Sequence, residues 1–175
     1  MITGKVRFSY ASVFQPKAAM DGGEPKYSVV LLIPKSDTKM VEEIRKEIEA
    51  AKQAGKDKWN GKVPANLKTP LRDGDEERPD RDEFKGMYFI SATSKMKPQV
   101  VDRQLQPIID PTEFYSGCFG RASINFYAYS VNGNRGIACG LGNLQKLEDG
   151  ESFTGRKRAE DEFAAFKVED DGDDF

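Results

Sequence analysis

The residues best equipped for chemistry sit on one strand-like stretch, CFGRASINFYAYSV at 118–131. Period-two alternation puts Ala122, Ile124, Phe126 and Ala128 on one side and Phe119, Arg121, Asn125, Tyr127 and Tyr129 on the other. Three rings and a guanidinium on one strand face are what stacking on nucleobases needs. Every base has a π-face, and each stack is worth about 1–3 kcal/mol. The competing reading is that these rings pack beneath a second layer, since aromatics are core residues first. Tyr88 and the single tryptophan, Trp59, are further stacking candidates, and Trp59 would serve equally as a loop anchor. Lys5, Arg7, Lys95, Lys97, Arg103 and Arg135, with Arg121, are the cations placed to hold phosphates.

Other chemistries find less support. The chain has no histidine, which removes the commonest general base and the commonest metal ligand. Asp73, Asp75, Glu76 and Glu77 form an acid cluster, but without calcium-loop spacing it reads as a solvated loop. A carboxylate–metal nuclease built on acids 73–83 remains the enzymatic alternative. The GLG and GNRG stretches are too short for a phosphate loop, and no Walker, GxSxG, HExxH or CxxC pattern occurs. Cys118 and Cys139 fit two reduced, buried thiols in a cytoplasmic protein. No cofactor, metal or enzymatic activity is expected. No run of apolar residues is long enough to span a membrane, and the N-terminus MITGKVRF lacks the apolar stretch of a signal peptide.

The elements that would position the 119–129 face follow from hydrophobic period. Residues 5–14 alternate, with Val6, Phe8 and Tyr10 on one face of a half-buried strand. YSVVLLIP at 27–34 is a continuous apolar run that fits a buried strand. Ser36 or Asp37 then caps a helix whose stripe is Met40, Val41, Ile44, Ile48 and Ala51, ending at Gly55. Residues 56–86 read as a long charged loop. MYFISATS at 87–94 is a strand, and Asn132–Gly133 is a hairpin turn joining 118–131 to a return strand at 136–147. The order predicts a mainly β fold, a closed barrel with one inserted helix and one long loop.

Charge divides the chain. Residues 1–158 carry 26 Lys and Arg against 21 Asp and Glu, whereas 159–175 carry one lysine against eight acids. The net charges, +5 and −7, predict a basic body attracted to polyanions and an acidic tail whose composition favours disorder. The tail closes on VEDDGDDF, whose terminal ring, Phe175, follows Asp173 and Asp174. An aromatic ring beside a carboxylate is a compact handle for a partner's pocket. An interaction adaptor acting mainly through this tail is the third reading.

Long and unusual strings carry a resemblance. TGKVRFSYASVFQPK (3–17), LKTPLRDGDEERPD (67–80), YFISATSKMKPQVVDR (88–103) and the stretch 115–151 are similar to a family of tailed-phage and prophage single-stranded DNA-binding proteins, once known only as a domain of unknown function. The resemblance implies an OB-fold that binds single strands with little sequence preference during phage replication, recombination or repair, in the host cytoplasm, as a monomer or dimer. It also implies a tail that regulates binding and recruits phage or host partners through Asp173, Asp174 and Phe175. Bacterial tails of this kind usually place proline before the final phenylalanine. Asp174 stands there instead, so host and phage-encoded partners both remain open.

Overall fold

The computed structural model describes residues 1–18, 22–153 and 163. Two of the strands follow the alternation and the apolar run near the start of the chain: β1 (Val6–Lys17) and β2 (Lys26–Pro34). Asp37 begins helix α1 (Thr38–Ala54) by accepting the Met40 N–H, 3.2 Å away. The helix buries the expected stripe of Met40, Val41, Ile44, Ile48 and Ala51, each large aliphatic contributing about 1.5–3 kcal/mol. Gly55 ends it at an ordinary negative φ of −95°. What requires glycine there is space, because a Cβ would collide with the Ala128 side chain.

Beyond the helix come β3 (Arg72–Asp73), the single turn α2 (Gly74–Glu77), β4 (Met87–Ser94), β5 (Val100–Val101), β6 (Phe119–Val131) and β7 (Asn134–Glu148). Asn132 and Gly133, with φ of 50° and 82°, make the tight turn between the last two. Five strands close a ring. β1 is antiparallel to β2, β2 to β4, β7 to β6 and β6 to β1, and β4 runs parallel to β7. This is the closed, OB-like barrel with an inserted helix. Inside it one rung reads Val29, Ala92, Cys139, Phe126 across four strands. Cys118 and Cys139 are both buried free thiols, and burial pushes them up to about 11 and about 12.

Residues 56–86 are not simply a loop. A 3-10 turn at Lys56–Trp59 buries Trp59 beneath the β6–β7 hairpin, and β3, α2 and a second 3-10 turn at Asp82–Phe84 follow. The second half lies on the outside of the barrel. There Phe84 closes an outer cluster with Leu32 and Phe89, joined by Val30, Met87 and Phe153. Each acid of the 73–77 cluster except Glu76 has a cation partner. Lys35 Nζ lies 2.7 Å from Asp73 and 2.8 Å from Asp75, and Arg72 pairs with Glu77. These partners hold the three carboxyls below their usual range, so the cluster is a latch for the outer layer.

Tyr10 departs from its expected place beside Val6 and Phe8. The register of β1 against β2 slips between Ser9 and Ser12, and Tyr10 takes a left-handed φ of 46°. A bulge of this kind reverses parity, so Tyr10 points out of the barrel with 47% exposure. The body–tail boundary at 158/159 lies outside the described residues, as does the tail 159–175 apart from Phe163.

Candidate nucleic-acid interface

Where inner and outer positions alternate, the outer face of β7 carries almost no side chain. Ile137, Cys139 and Leu141 point inward, which leaves Gly136, Ala138 and Gly140 outside, with Gly142 continuing the row. Opposing residues of β6 lie across these gaps. A Cβ on Gly140 would collide with Asn125 Oδ1 and one on Gly142 with Ser123 Oγ, whereas one on Gly136 would meet the Lys68 carbonyl at 2.5 Å and the Tyr129 hydroxyl at 2.8 Å. The glycines therefore let polar and aromatic side chains of β6 lie flat. Tyr127, opposite Ala138, is 43% exposed.

The trough continues sideways. Asn125 pairs with Gly140, Gly140 with Thr93, Thr93 with Ser28 and Ser28 with Ser12, an outer rung of small polar side chains across five strands. Two hairpins flank it. At the β6–β7 end stand Tyr127, Tyr129, Arg135 and Lys68, whose backbone pairs with that of Arg135 and Ile137 and whose ammonium reaches Asn134 Oδ1 at 3.2 Å. At the β1–β2 end, Lys17 sits directly opposite Lys26, and Lys95 and Lys97 follow the end of β4 nearby. Like charges placed face to face repel unless an anion lies between them. Tyr10 forms a further edge, its ring 5.5 Å from the Arg81 guanidinium.

The residues singled out from the sequence separate into two groups. Tyr127, Tyr129, Arg135, Lys95 and Lys97 border the trough. Lys97 and Arg135 are exposed, with no ion pair among the described residues, and Lys95 makes only a 3.5 Å pair with Glu24. Phe119 lies about 27 Å along β6 from Tyr127, at about 3.4 Å per residue. Lys5 and Arg7 sit over its ring, each 4.9 Å from the centroid, and the ring edge lies where a Cβ at Gly150 would collide with it. Arg7 is also sandwiched against Phe153 and donates to the Gly117 and Glu151 carbonyls, both at 2.9 Å. Burial pulls its pKa down. Lys5 pairs with Glu148, and Arg121 Nε donates to the Thr3 carbonyl at 3.0 Å.

Two stacking candidates are corrected by burial and parity. Trp59 is only 5% exposed, and its indole N–H donates to the Tyr129 carbonyl at 3.2 Å, so it anchors the hairpin from beneath. Tyr88 shares the inward parity of Ile90 and Ala92 and packs against the core, with Arg45 on its hydroxyl and Lys35 over its ring. Arg103 stands at the mouth of a cleft rich in acids rather than on the trough. Asp173, Asp174 and Phe175 lie outside the described residues. Sequence reasoning missed Tyr10, Lys68 and the β7 glycines. The alternating glycines of GIACGLG were the one available signal, since Gly136, Gly140 and Gly142 share a parity.

Known proteins share this fold. The whole chain, residues 1–175, matches the family described as the single-stranded DNA-binding protein of Enterobacter phage Enc34. Protein p50 of Acyrthosiphon pisum secondary endosymbiont phage 1 is 34% identical over 160 residues, spanning 86% of this chain and 84% of that one. The Enc34 protein in complex with single-stranded DNA superposes with a TM-score of 0.78 at 31% identity, covering 87% of this chain and 88% of that one. The single-stranded DNA-binding protein gp2.5 of bacteriophage T7 shares the fold, with a TM-score of 0.60 at 17% identity, covering 90% and 96%. An OB-like barrel with an open trough on its outer face and a match along its full length make this chain a member of the Enc34-type family of phage single-stranded DNA-binding proteins, a family of binding proteins and not of enzymes.

Proposed function

We propose that the protein binds single-stranded DNA along the outer trough, with little sequence preference, during phage replication, recombination or repair in the host cytoplasm. The observation that carries the reading is the bare outer row of β7, with Tyr127 and Tyr129 beside it and exposed cations at both hairpins. A flat aromatic platform with flexible phosphate-binding cations accepts any base sequence, because stacking and charge neutralisation read none. The floor of serine, threonine, asparagine and glycine leaves room for a sugar–phosphate chain to lie close to the sheet. Lys17, Lys26, Lys95 and Lys97 at one end, with Lys68 and Arg135 at the other, would neutralise phosphates where the strand enters and leaves.

The acidic tail completes the reading. A polyanion tethered to a cationic trough competes with DNA, and DNA displaces it. Asp173, Asp174 and Phe175 then become available to a replication or recombination partner. Gel retardation of a single-stranded oligonucleotide and its duplex, by the full chain and by a chain lacking 168–175, tests both parts. Tight, salt-sensitive retardation of the single strand over the duplex is expected. Deletion of the tail should raise affinity and lessen its salt sensitivity at low salt. Absence of retardation refutes the DNA reading, whereas identical curves with and without the tail refute only tail competition.

A further inference from the structure

The segment after β5 closes a cleft of about 440 Å³ against the far end of β7, away from Tyr129 and Gly136. Its walls bring Asp102, Asp110, Glu113, Glu148 and Asp149 together with only Arg103 and Lys146. Lys146 is spent internally, 11% exposed, with its ammonium 2.8 Å from Asp149 and 3.9 Å from Glu113. Even with Lys5 on Glu148, acids outnumber cations here, and Glu113, Glu148 and Asp149 keep about half of their side-chain surface open. A body with an excess of positive charge thus holds one anionic surface, which repels DNA.

Two aliphatic side chains of this segment give nothing to the core. Ile109, which lines the cleft, is 83% exposed, and Leu105, on the turn between the lining residues Gln104 and Pro107, is 68% exposed. Leu105 also holds a φ of +64°, a left-handed conformation that a bulky side chain adopts only at a cost. The turn is nevertheless pinned. Asp102 accepts the N–H groups of Gln104 and Gln106 at 2.9 and 3.0 Å, and Leu105 donates to the Asp102 carbonyl. Glycine would suit this backbone better. An apolar side chain held in water by a strained, rigid turn is placed to be an interface anchor.

We propose that this cleft docks a cationic segment of a partner protein, whose aliphatic side chains pack on Leu105 and Ile109 while its Lys or Arg side chains meet Glu113, Glu148 and Asp149. The site is separate from the trough, so protein and DNA bind together. The probe is a fluorescein-labelled peptide, Lys-Leu-Arg-Lys-Ile-Arg, with a control carrying serine for both aliphatics. Anisotropy is read against the full chain with oligonucleotide bound, at about 150 mM salt, where exposed charges are screened beyond about 8 Å.

Ile109→Ser, Glu113→Lys and Leu105→Gly should each weaken peptide binding about tenfold, as loss of an anchor does, and leave DNA affinity unchanged. Leu105→Gly should also raise the thermal midpoint, and the serine peptide should bind the wild type as poorly as the parent peptide binds the variants. Equal peptide binding by all four proteins assigns it to the acidic tail and overturns the proposal. So does competition between peptide and oligonucleotide, a lowered midpoint in Leu105→Gly, or a self-association that Ile109→Ser abolishes.

Discussion

Replacing Tyr127 by alanine isolates the stacking platform from everything that holds the barrel together. The side chain is 43% exposed, sits opposite Ala138 and belongs to neither buried cluster. Substitution at such a position changes stability by no more than about 0.5 kcal/mol. If the ring carries one base stack, its removal costs about 1–3 kcal/mol of binding. At about 1.4 kcal/mol per tenfold, the dissociation constant should rise about 5- to 150-fold. Anisotropy of a labelled oligothymidylate at fixed salt measures the binding, and thermal melting checks the fold. Tyr127→Phe should bind within about twofold of wild type, because the π-face is kept. Trp59→Ala is the contrasting control. Its buried indole should cost about 3–5 kcal/mol of stability, so any loss of binding there accompanies a loss of fold. Wild-type affinity in Tyr127→Ala would sink the platform, and equal losses in the Phe and Ala variants would transfer the contact to the hydroxyl.

Lys68→Ala and Arg135→Ala should each weaken binding to every oligonucleotide sequence alike. Each should also flatten the slope of log K against log salt by about 0.7, the value for one phosphate contact on a single strand. An unchanged slope would remove the β6–β7 end from the DNA path. The latch of Lys35 on Asp73 and Asp75 sets an acid limit. Both carboxyls lie below their ordinary value, so their contribution is complete above about pH 4 and is lost as pH falls through the lowered folded values. Lys35→Met should remove that part of the acid dependence, read as thermal midpoint against pH. A Lys35→Met profile parallel to wild type would show that the latch does not couple to folding.

The sequence alone determined whatever depends on local period and on total charge. Alternation located β6 and separated Ala122, Ile124 and Ala128 from Arg121, Asn125 and Tyr127. A capping Ser36 or Asp37 and an apolar stripe located α1, and the Asn132–Gly133 pair located the hairpin. Each of these rests on contacts between residues close in the chain, so the chain itself carries the signal. The contrast of a basic body with an acidic tail is likewise a property of composition.

Only the tertiary structure decided which members of a face are open. Phe119 and Tyr127 share a strand and a parity, yet one lies beneath Lys5 and Arg7 and the other stays 43% exposed. Trp59, in a polar stretch, went inside because the hairpin it supports lies seventy residues further along the chain. Tyr10 went outside because a register slip against β2 reversed its parity. The trough itself joins residues of five strands that no local pattern relates. Burial is a property of what packs on a face, and that partner comes from distant sequence.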